Sequence, residues 1–204
     1  AEPIRVYDEL APETITPHVF LAPYQHRDDH MPEKTFYDSA EDDAKEGFLY
    51  DFGQNNAGIF RLKINGKAGQ RIVLQACERL DEENRPFFSN IGFYPNGYSQ
   101  RTIYICRGEG EEIFIPDFTY IGYRYLWVSG ITEEQATKEL LTYLVAGSDL
   151  EARGDFSCSD EMANRLWEVS LRSDRANLYY FPTDCPHREK NGWTGDASVS
   201  AEHM

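Results

Sequence analysis

The strongest constraint on the fold is a change of hydrophobic period near residue 149. Between Phe48 and Gly147, apolar and polar residues alternate in short runs that Gly, Pro, Asn and Asp separate. Residues 60–64 read Phe-Arg-Leu-Lys-Ile, and Asn65-Gly66 then supplies a turn. Further short runs cover 72–76, 103–106, 113–115, 123–128 and 140–145. Many short strands separated by turn residues favour a mainly β fold, an antiparallel β-sandwich.

After Asp149 the period becomes helical. One buried face of a helix is predicted by apolar or small residues at helical spacing, namely Met162, Leu166, Val169, Ser173 and Ala176. Ser157 or Ser159 is expected to cap this helix. A segment rich in turn residues follows over 182–195, and a second helix begins near Asp196. No stop signal precedes Met204, which predicts that the chain is a fragment.

The remaining segments are irregular. Residues 1–47 contain five prolines, which predicts an extended lead-in with one or two edge strands. The carboxylate-rich stretch Asp38–Glu46 is expected to be a solvated loop. A second long loop covers Leu80–Ser99, and its length fits either a functional loop or a disordered one.

Charge and cysteine content exclude several classes of function. The chain has 204 residues with 35 acidic and 20 basic side chains, a formal charge of −15. Such a surface repels nucleic acid and anionic membranes and is compatible with a neutral ligand. The four cysteines are widely spaced, which predicts free, buried or half-buried thiols and neither a disulfide framework nor a zinc site. We expect no cofactor and no metal.

The N-terminus gives limited information on the compartment. It lacks a charged leader followed by an apolar stretch. This favours a cytoplasmic protein over an exported one, although a processed chain would look the same. No apolar run approaches the roughly 20 residues that a membrane span requires.

The densest set of reactive side chains lies between Pro182 and Asp196. It contains three carboxylates, an Arg, a Lys, a His and a Trp, with Pro and Gly between them. Neighbouring carboxylates can separate each other's pKa values, and glycoside hydrolysis uses one carboxyl group held protonated. A Trp next to glycines can offer an open ring face to a sugar. The same residues also fit a capped turn, a solvated charge cluster and a core Trp, and composition alone leaves both interpretations open.

Two other chemistries have less support. Cys185 and His187 could form a thiol nucleophile or a metal pair, but no third partner is evident. Asp51-Phe-Gly matches a kinase tripeptide, yet no glycine-rich loop or His-Arg-Asp catalytic loop accompanies it.

Five ordered segments resemble the bacterial α-L-rhamnosidases of glycoside hydrolase family 78. The most specific is Asp184-Cys-Pro-His-Arg-Glu-Lys-Asn-Gly-Trp193, which is similar to the family's acidic motif Asp-Cys-Pro-(His/Gln)-Arg-Glu-Lys-x-Gly-Trp. The other matching segments are 50–58, 80–85, 116–125, and 154–160 together with 164–167.

This resemblance implies a concanavalin-like, jelly-roll type β-sandwich followed by the first helices of an (α/α)6 barrel. The implied units are a lead-in or linker over 1–47, the β-sandwich over 48–148, and the N-terminal part of a truncated catalytic domain over 149–204. By position, Glu189 matches the general acid of an inverting mechanism. Residues that match the rhamnose-binding set are Asp184, Arg188, Trp193 and Asp196. The implied ligand is a rhamnose-containing glycoside or oligosaccharide.

The resemblance also sets limits on the fragment. The family's general base lies beyond Met204, so the chain alone is expected to be inactive. Glu189 is expected to stay protonated near neutral pH, helped by Asp184 and Asp196. The alternative is a non-catalytic module, a β-sandwich that binds carbohydrate or only braces the barrel. An uncovered apolar face of a partial barrel would also favour association into a homo-oligomer.

Overall fold

A computed structural model of the chain describes residues 3–21, 46–87, 100–151, 154–188 and 190–201. Three expectations concern residues outside these ranges. They are residues 38–45 of the carboxylate-rich stretch, residues 88–99 of the second long loop, and Glu189.

The described residues form a β-rich unit followed by two helices. The strands are β1 (Ile4–Leu10), β2 (Thr14–Phe20), β3 (Glu46–Asn65), β4 (Arg71–Cys77), β5 (Arg101–Ile105), β6 (Glu111–Phe114), β7 (Ile121–Ser129), β8 (Leu141–Ser148), β9 (Leu178–Tyr179) and β10 (Phe181–Pro182). The helices are α1 (Glu161–Ala176) and α2 (Thr194–Ser200), and a short 3-10 turn covers Lys138–Leu140. The predicted mainly β class with a few C-terminal helices is confirmed.

Eight strands form one antiparallel sheet around β3. The strand order is β1-β8-β3-β7-β4-β5, and β2 and β6 also pair with β3. Both β7 and β8 pair with Gly58 of β3, so they lie on opposite edges of that strand. One or two edge strands were expected within residues 1–47. Strands β1 and β2 lie there, and both belong to this sheet, since β1 pairs with β8 and β2 pairs with β3.

One face of the sheet supplies the main aromatic and aliphatic core, and a smaller cluster around Trp127 is separate from it. The rings of Tyr123 and Tyr143 stack with centroids 3.8 Å apart, and Phe52 meets both of them edge-on. Tyr104 of β5 stacks on Phe114 of β6 at 5.0 Å, although these two strands are not paired. The sheet therefore bends round a shared interior, as a sandwich requires. Burial of these rings contributes to the stability of the fold.

A buried carboxylate closes the turn between β5 and β6. Glu112 accepts hydrogen bonds from the backbone N–H groups of Arg107 and Gly108, each at 2.9 Å, and from the hydroxyl of Tyr104 at 2.7 Å. These bonds favour the ionised form and lower the pKa of Glu112 to about 2. The charge is fully compensated, so an inward-facing acid is tolerated at this position.

Strand β3 contains a wide bulge between Asp51 and Asn56. These two residues oppose Tyr125 and Tyr123 of β7, so five steps along β3 match two steps along β7. The Asp51 carboxylate accepts two hydrogen bonds from Arg124, at 2.8 and 2.9 Å, and one from the N–H of Gly53 at 2.7 Å. The bulge projects residues 53–55 out of the regular ladder.

Helix α1 is capped by Asp160. Its carboxylate accepts hydrogen bonds from the N–H groups of Met162 and Ala163, at 2.8 and 3.3 Å. The prediction that Ser157 or Ser159 caps the helix is therefore wrong. Asp160 is the residue with extended backbone angles directly before the first helical turn.

The predicted buried face of α1 is also wrong for the described structure. The apolar stripe is present, but none of its residues is buried, and Met162 is 68% exposed. The physical reason lies in the packing of α1. In the described parts of the chain its main contacts are with β3, β8 and β9, and these strands lie against its C-terminal half. No helix in the described ranges covers the stripe.

The cysteine prediction holds with one exception. All four cysteines are free; Cys77 and Cys106 are buried and Cys185 is half-buried, whereas Cys158 is exposed. In the described parts of the chain, no helix is long and apolar enough to cross a membrane.

Candidate active site

The acidic loop is the segment 183–190, and its described residues, 183–188 and 190, pack against the start of β7. The hydroxyls of Tyr120 and Thr183 are hydrogen-bonded at 3.2 Å. Pro186 lies directly over Gly122, where a Cβ atom would come within 2.6 Å of the proline ring. Gly122 is itself fixed, because buried Gln100 bonds both its N–H and its carbonyl group at 2.8 Å. The β-rich unit therefore forms the platform on which this loop rests.

Lys190 fastens the far end of the same loop. Its ammonium group donates to the carbonyl oxygens of Tyr120, at 2.9 Å, and of Pro186, and lies 4.0 Å from the centre of the Tyr120 ring. The Tyr120 ring also stacks on Tyr179 at 4.4 Å. Burial lowers the pKa of Lys190 to about 8. This lysine is a structural anchor rather than the solvated charge that its sequence neighbours suggested.

The low pKa of Lys190 predicts a specific dependence of stability on pH. The cation is disfavoured in the folded state, so between pH 8 and about 10.5 the unfolded chain binds more protons. The free energy of unfolding should therefore rise through this window relative to a Lys190→Met variant. Urea unfolding of both proteins at several pH values from 7 to 10 measures the difference. A difference that stays constant with pH would show that Lys190 titrates normally.

Three side chains form a connected set beneath the loop. His187 is almost fully buried, and its Nδ1 atom lies 3.3 Å from Oε2 of Glu78. The other oxygen of Glu78 accepts a hydrogen bond from the side-chain amide of Asn55 at 3.1 Å. Burial lowers the pKa of His187 below its ordinary value, against an opposing effect of Glu78. The sequence pattern gave no signal for this set, because its members come from the β3 bulge, the end of β4 and the acidic loop.

A cavity of about 340 Å³ opens beside these residues. Its polar lining includes Asn55, Glu78, Arg172, Asp184 and His187. The volume lies within the range of small-ligand pockets, roughly 300–1,000 Å³.

The structure brings together two of the predicted sugar-binding residues. The guanidinium group of Arg188 lies 3.7 Å from the carboxylate of Asp184. The other two lie on the next element: Trp193 precedes the first turn of α2 with its side chain 45% exposed, and Asp196 is exposed within that turn. The main chain of Trp193 is tied back by a 2.9 Å hydrogen bond to the carbonyl of Pro182. Glu189, the predicted acid, lies outside the described residues.

The structure also bears on the alternative metal or thiol site at Cys185 and His187. Among the described residues, no group of three or more His, Cys, Asp or Glu side chains could hold a metal ion. The ring of His187 lies next to Glu78, and the charges that shift its pKa are those of Glu78, Arg188, Lys190 and Asp184.

Comparison with known families explains the two-part organisation. Residues 42–146 match the family described as the bacterial alpha-L-rhamnosidase concanavalin-like domain. The chain belongs to the bacterial α-L-rhamnosidases. Residues 151–204 match the six-hairpin glycosidase domain of the same rhamnosidases. The predicted concanavalin-like β-domain and family membership are confirmed.

Individual rhamnosidases give the same result. An alpha-L-rhamnosidase of Formosa agariphila is 36% identical over 86% of this chain and 18% of its own length. The structure of an alpha-L-rhamnosidase from Dictyoglumus thermophilum superposes with a TM-score of 0.77 at 29% identity, over 99% of this chain and 20% of that one. The structure of the Streptomyces avermitilis alpha-L-rhamnosidase complexed with L-rhamnose superposes with a TM-score of 0.76 at 27% identity. It covers 98% of this chain and 17% of that one. The chain thus spans about a fifth of the length of these relatives.

Several rhamnosidase-like segments outside the acidic loop have structural roles. Asp51 and Arg124, from two different segments, bind each other across the β3 bulge. The amide of Asn164 bonds both backbone groups of Cys158, at 2.9 Å each, ahead of helix α1. These pairs hold the fold in place and do not themselves form a site.

Proposed function

We propose that this chain is part of a glycosidase that releases terminal α-L-rhamnose from rhamnosides by an inverting general acid/base mechanism. The acidic loop carries the proposal, because its sequence matches the family motif and the β-domain anchors it at both ends through Tyr120. One solved relative is a complex with L-rhamnose, which supports the substrate class. The ligand is therefore a rhamnose-containing glycoside or oligosaccharide.

Each motif residue has a role in the proposed reaction. Glu189 donates a proton to the leaving oxygen, and a base elsewhere in the intact enzyme activates water on the opposite face of the sugar. In inverting enzymes, roughly 6.5–9.5 Å separates the two carboxyl groups, which leaves room for that water. Arg188, oriented by Asp184, binds ring hydroxyls. The half-exposed ring of Trp193 can stack on the apolar face of the sugar, with Asp196 close by in sequence.

The same proposal assigns different roles to the β-domain and to the start of the catalytic domain. We assign residues 48–148 to the β-domain, residues 1–47 to a lead-in or linker, and residues from 149 to the start of the catalytic domain. The contacts of Gly122 and Glu78 with the acidic loop favour a bracing role for the β-domain. Bracing alone, with no turnover, is the second candidate function.

An activity assay of two proteins tests the proposal. The 204-residue chain and a longer protein that includes the following barrel sequence are each incubated with an aryl α-L-rhamnoside. We expect hydrolysis by the longer protein only, with inversion at the anomeric carbon detected by NMR of the first product. Turnover by the short chain would contradict the need for a second carboxylate, and an inactive longer protein would favour the bracing function.

The uncovered stripe of α1 leads to a prediction about association. Met162 and Leu166 are more than half exposed, and Val169 is 38% exposed. An apolar face of this kind favours self-association when nothing else covers it. Size-exclusion chromatography of the 204-residue chain should therefore show a homo-oligomer or concentration-dependent elution. A Leu166→Lys variant should elute as a monomer, whereas an exposed change on the β-domain, Glu109→Ala, should not alter the elution.

A further inference from the structure

The β-domain places a carboxylate directly behind the acidic loop. Glu78 follows β4, and its two oxygens face different elements: one accepts from Asn55 in the β3 bulge at 3.1 Å, and the other lies 3.3 Å from His187. We propose that Glu78, oriented by Asn55, is a positioning residue for the general acid, because it holds His187 and so fixes the loop that carries Glu189. This inference rests on the proposed function and adds to it a contribution from a different domain.

The contact between Glu78 and His187 affects the stability of the loop because both side chains are largely buried. The two side chains are 19% and 10% exposed. Within the described ranges, neither ring nitrogen of His187 has an aligned hydrogen-bond partner. A buried polar group without a partner is costly, by about 1–3 kcal/mol. The carboxylate of Glu78 lies 3.3 Å from Nδ1, and a neutral ring protonated at Nδ1 can act as the donor to it.

The charges around His187 favour the same arrangement. Burial lowers the pKa of the ring, Glu78 opposes this effect, Arg188 and Lys190 lower the pKa further, and Asp184 opposes it. The ring is therefore neutral at pH 7, when it can donate one hydrogen bond. If Glu78 were absent, the ring would keep its two cationic neighbours and lose its nearest acceptor. We expect the loop to shift in that case.

A small shift of the loop matters because of where the acid stands in the sequence. Glu189 lies between Arg188 and Lys190, and Lys190 is anchored to Tyr120. His187 is the anchor on the other side. Displacement of a catalytic group by about 1 Å can lower a rate by about a hundredfold. Glu78 thus acts on the reaction through His187 and does not touch the substrate itself.

The first test needs no enzyme activity. The imidazole signals of the 204-residue chain are followed by NMR over pH 4 to 8, and His187 is assigned from its absence in His187→Gln. We expect His187 to titrate at a lower pH than an ordinary histidine. In Glu78→Gln the midpoint should fall further, because the neighbouring negative charge is lost. An unchanged midpoint in Glu78→Gln would show that the two side chains are not in contact, and would overturn the inference.

The second test measures kcat in a longer, active enzyme that contains this chain. Glu78→Ala and His187→Ala should each lower kcat about tenfold to a hundredfold. The double variant should lose no more than the worse single variant, because the two residues act as a unit. His187→Gln should recover most of the rate, since its amide can donate to Glu78. Thermal unfolding of each variant separates a lost fold from a displaced loop.

The outcomes of the two tests are distinguishable. The matched control Glu109→Ala removes an exposed carboxylate of the β-domain and should leave kcat unchanged. Losses that multiply in the double variant, or equal losses in His187→Gln and His187→Ala, would overturn the positioning role. If the unsubstituted enzyme hydrolyses no rhamnoside, the proposed function fails, while the NMR result still decides whether Glu78 and His187 are in contact.

Discussion

Replacement of Glu189 by Gln in an enzyme that contains this chain is expected to lower kcat by about a hundredfold to ten-thousandfold, the usual contribution of general acid catalysis. The amide keeps the size of the side chain but has no proton of suitable pKa to donate. The substrate for this measurement is an alkyl or sugar rhamnoside, whose leaving oxygen needs protonation. Circular dichroism should show that the fold is unchanged.

The choice of leaving group makes the Glu189→Gln prediction specific. A dinitrophenyl rhamnoside leaves as a stable anion and needs little protonation, so the variant should lose much less activity on it. Glu82→Gln, which changes an exposed carboxylate in the turn after β4, is the matched control and should behave like the unsubstituted enzyme. Equal losses on both substrates would indicate that Glu189 binds or positions the sugar instead.

The strands were predictable because half-buried strands leave a period of two in the sequence. β6, β7 and β8 lie where short alternating runs predicted them. β4 shows the limit of this signal. In the run 72–76, residues 72, 74 and 76 share one face of the strand, but Val73 and Gln75 on the other face are buried as well. A strand that is covered on both sides cannot be recognised from alternation alone.

The start of α1 shows a second limit. Ser157, Ser159 and Asp160 all carry an oxygen that can cap a helix, and the sequence does not say which one adopts extended backbone angles before the first turn. The structure selects Asp160. The apolar stripe of α1 is present, but the prediction that it is buried is wrong. Burial depends on which elements pack against the helix, and the sequence of the helix does not contain that information.

The candidate site was predictable only as a segment. The charge-rich stretch and its match to a family motif make Asp184, Arg188 and Trp193 candidates, and their role in binding stays a prediction. The contact of Glu78 with His187 depends on a fold that brings the end of β4 beneath the loop. Nothing in the spacing of these two residues indicates that they meet. Lys190 is a similar case, since its buried position depends on Tyr120, the residue directly before β7.

The largest loss of stability is expected from Tyr143→Ala. This residue is fully buried, its ring stacks on Tyr123 at 3.8 Å and its hydroxyl donates to the Tyr123 carbonyl at 3.0 Å. Removing a large buried ring costs about 3–5 kcal/mol, because the lost contacts and the remaining cavity both count. Urea unfolding of the 204-residue chain measures the change.

Two further variants separate the ring from the hydroxyl. Tyr143→Phe keeps the stacked ring and removes one hydrogen bond, which should cost about 1 kcal/mol. Phe118→Ala removes a fully exposed ring and should change the free energy of unfolding by less than about 0.5 kcal/mol. A loss below about 1 kcal/mol in Tyr143→Ala would contradict the packing of Phe52, Tyr123 and Tyr143 as one cluster, since buried rings cost several times that.

The Tyr143 cluster also supports the site. Phe52 lies within the β3 bulge, with its ring 5.3 Å from that of Tyr143. The same bulge presents Asn55 to Glu78. A milder change, Tyr143→Leu, should therefore loosen the bulge before the whole fold is lost, and the NMR midpoint of His187 should move in the direction of Glu78→Gln. Packing inside the β-domain would then be connected, through Asn55 and Glu78, to the loop that carries the acid.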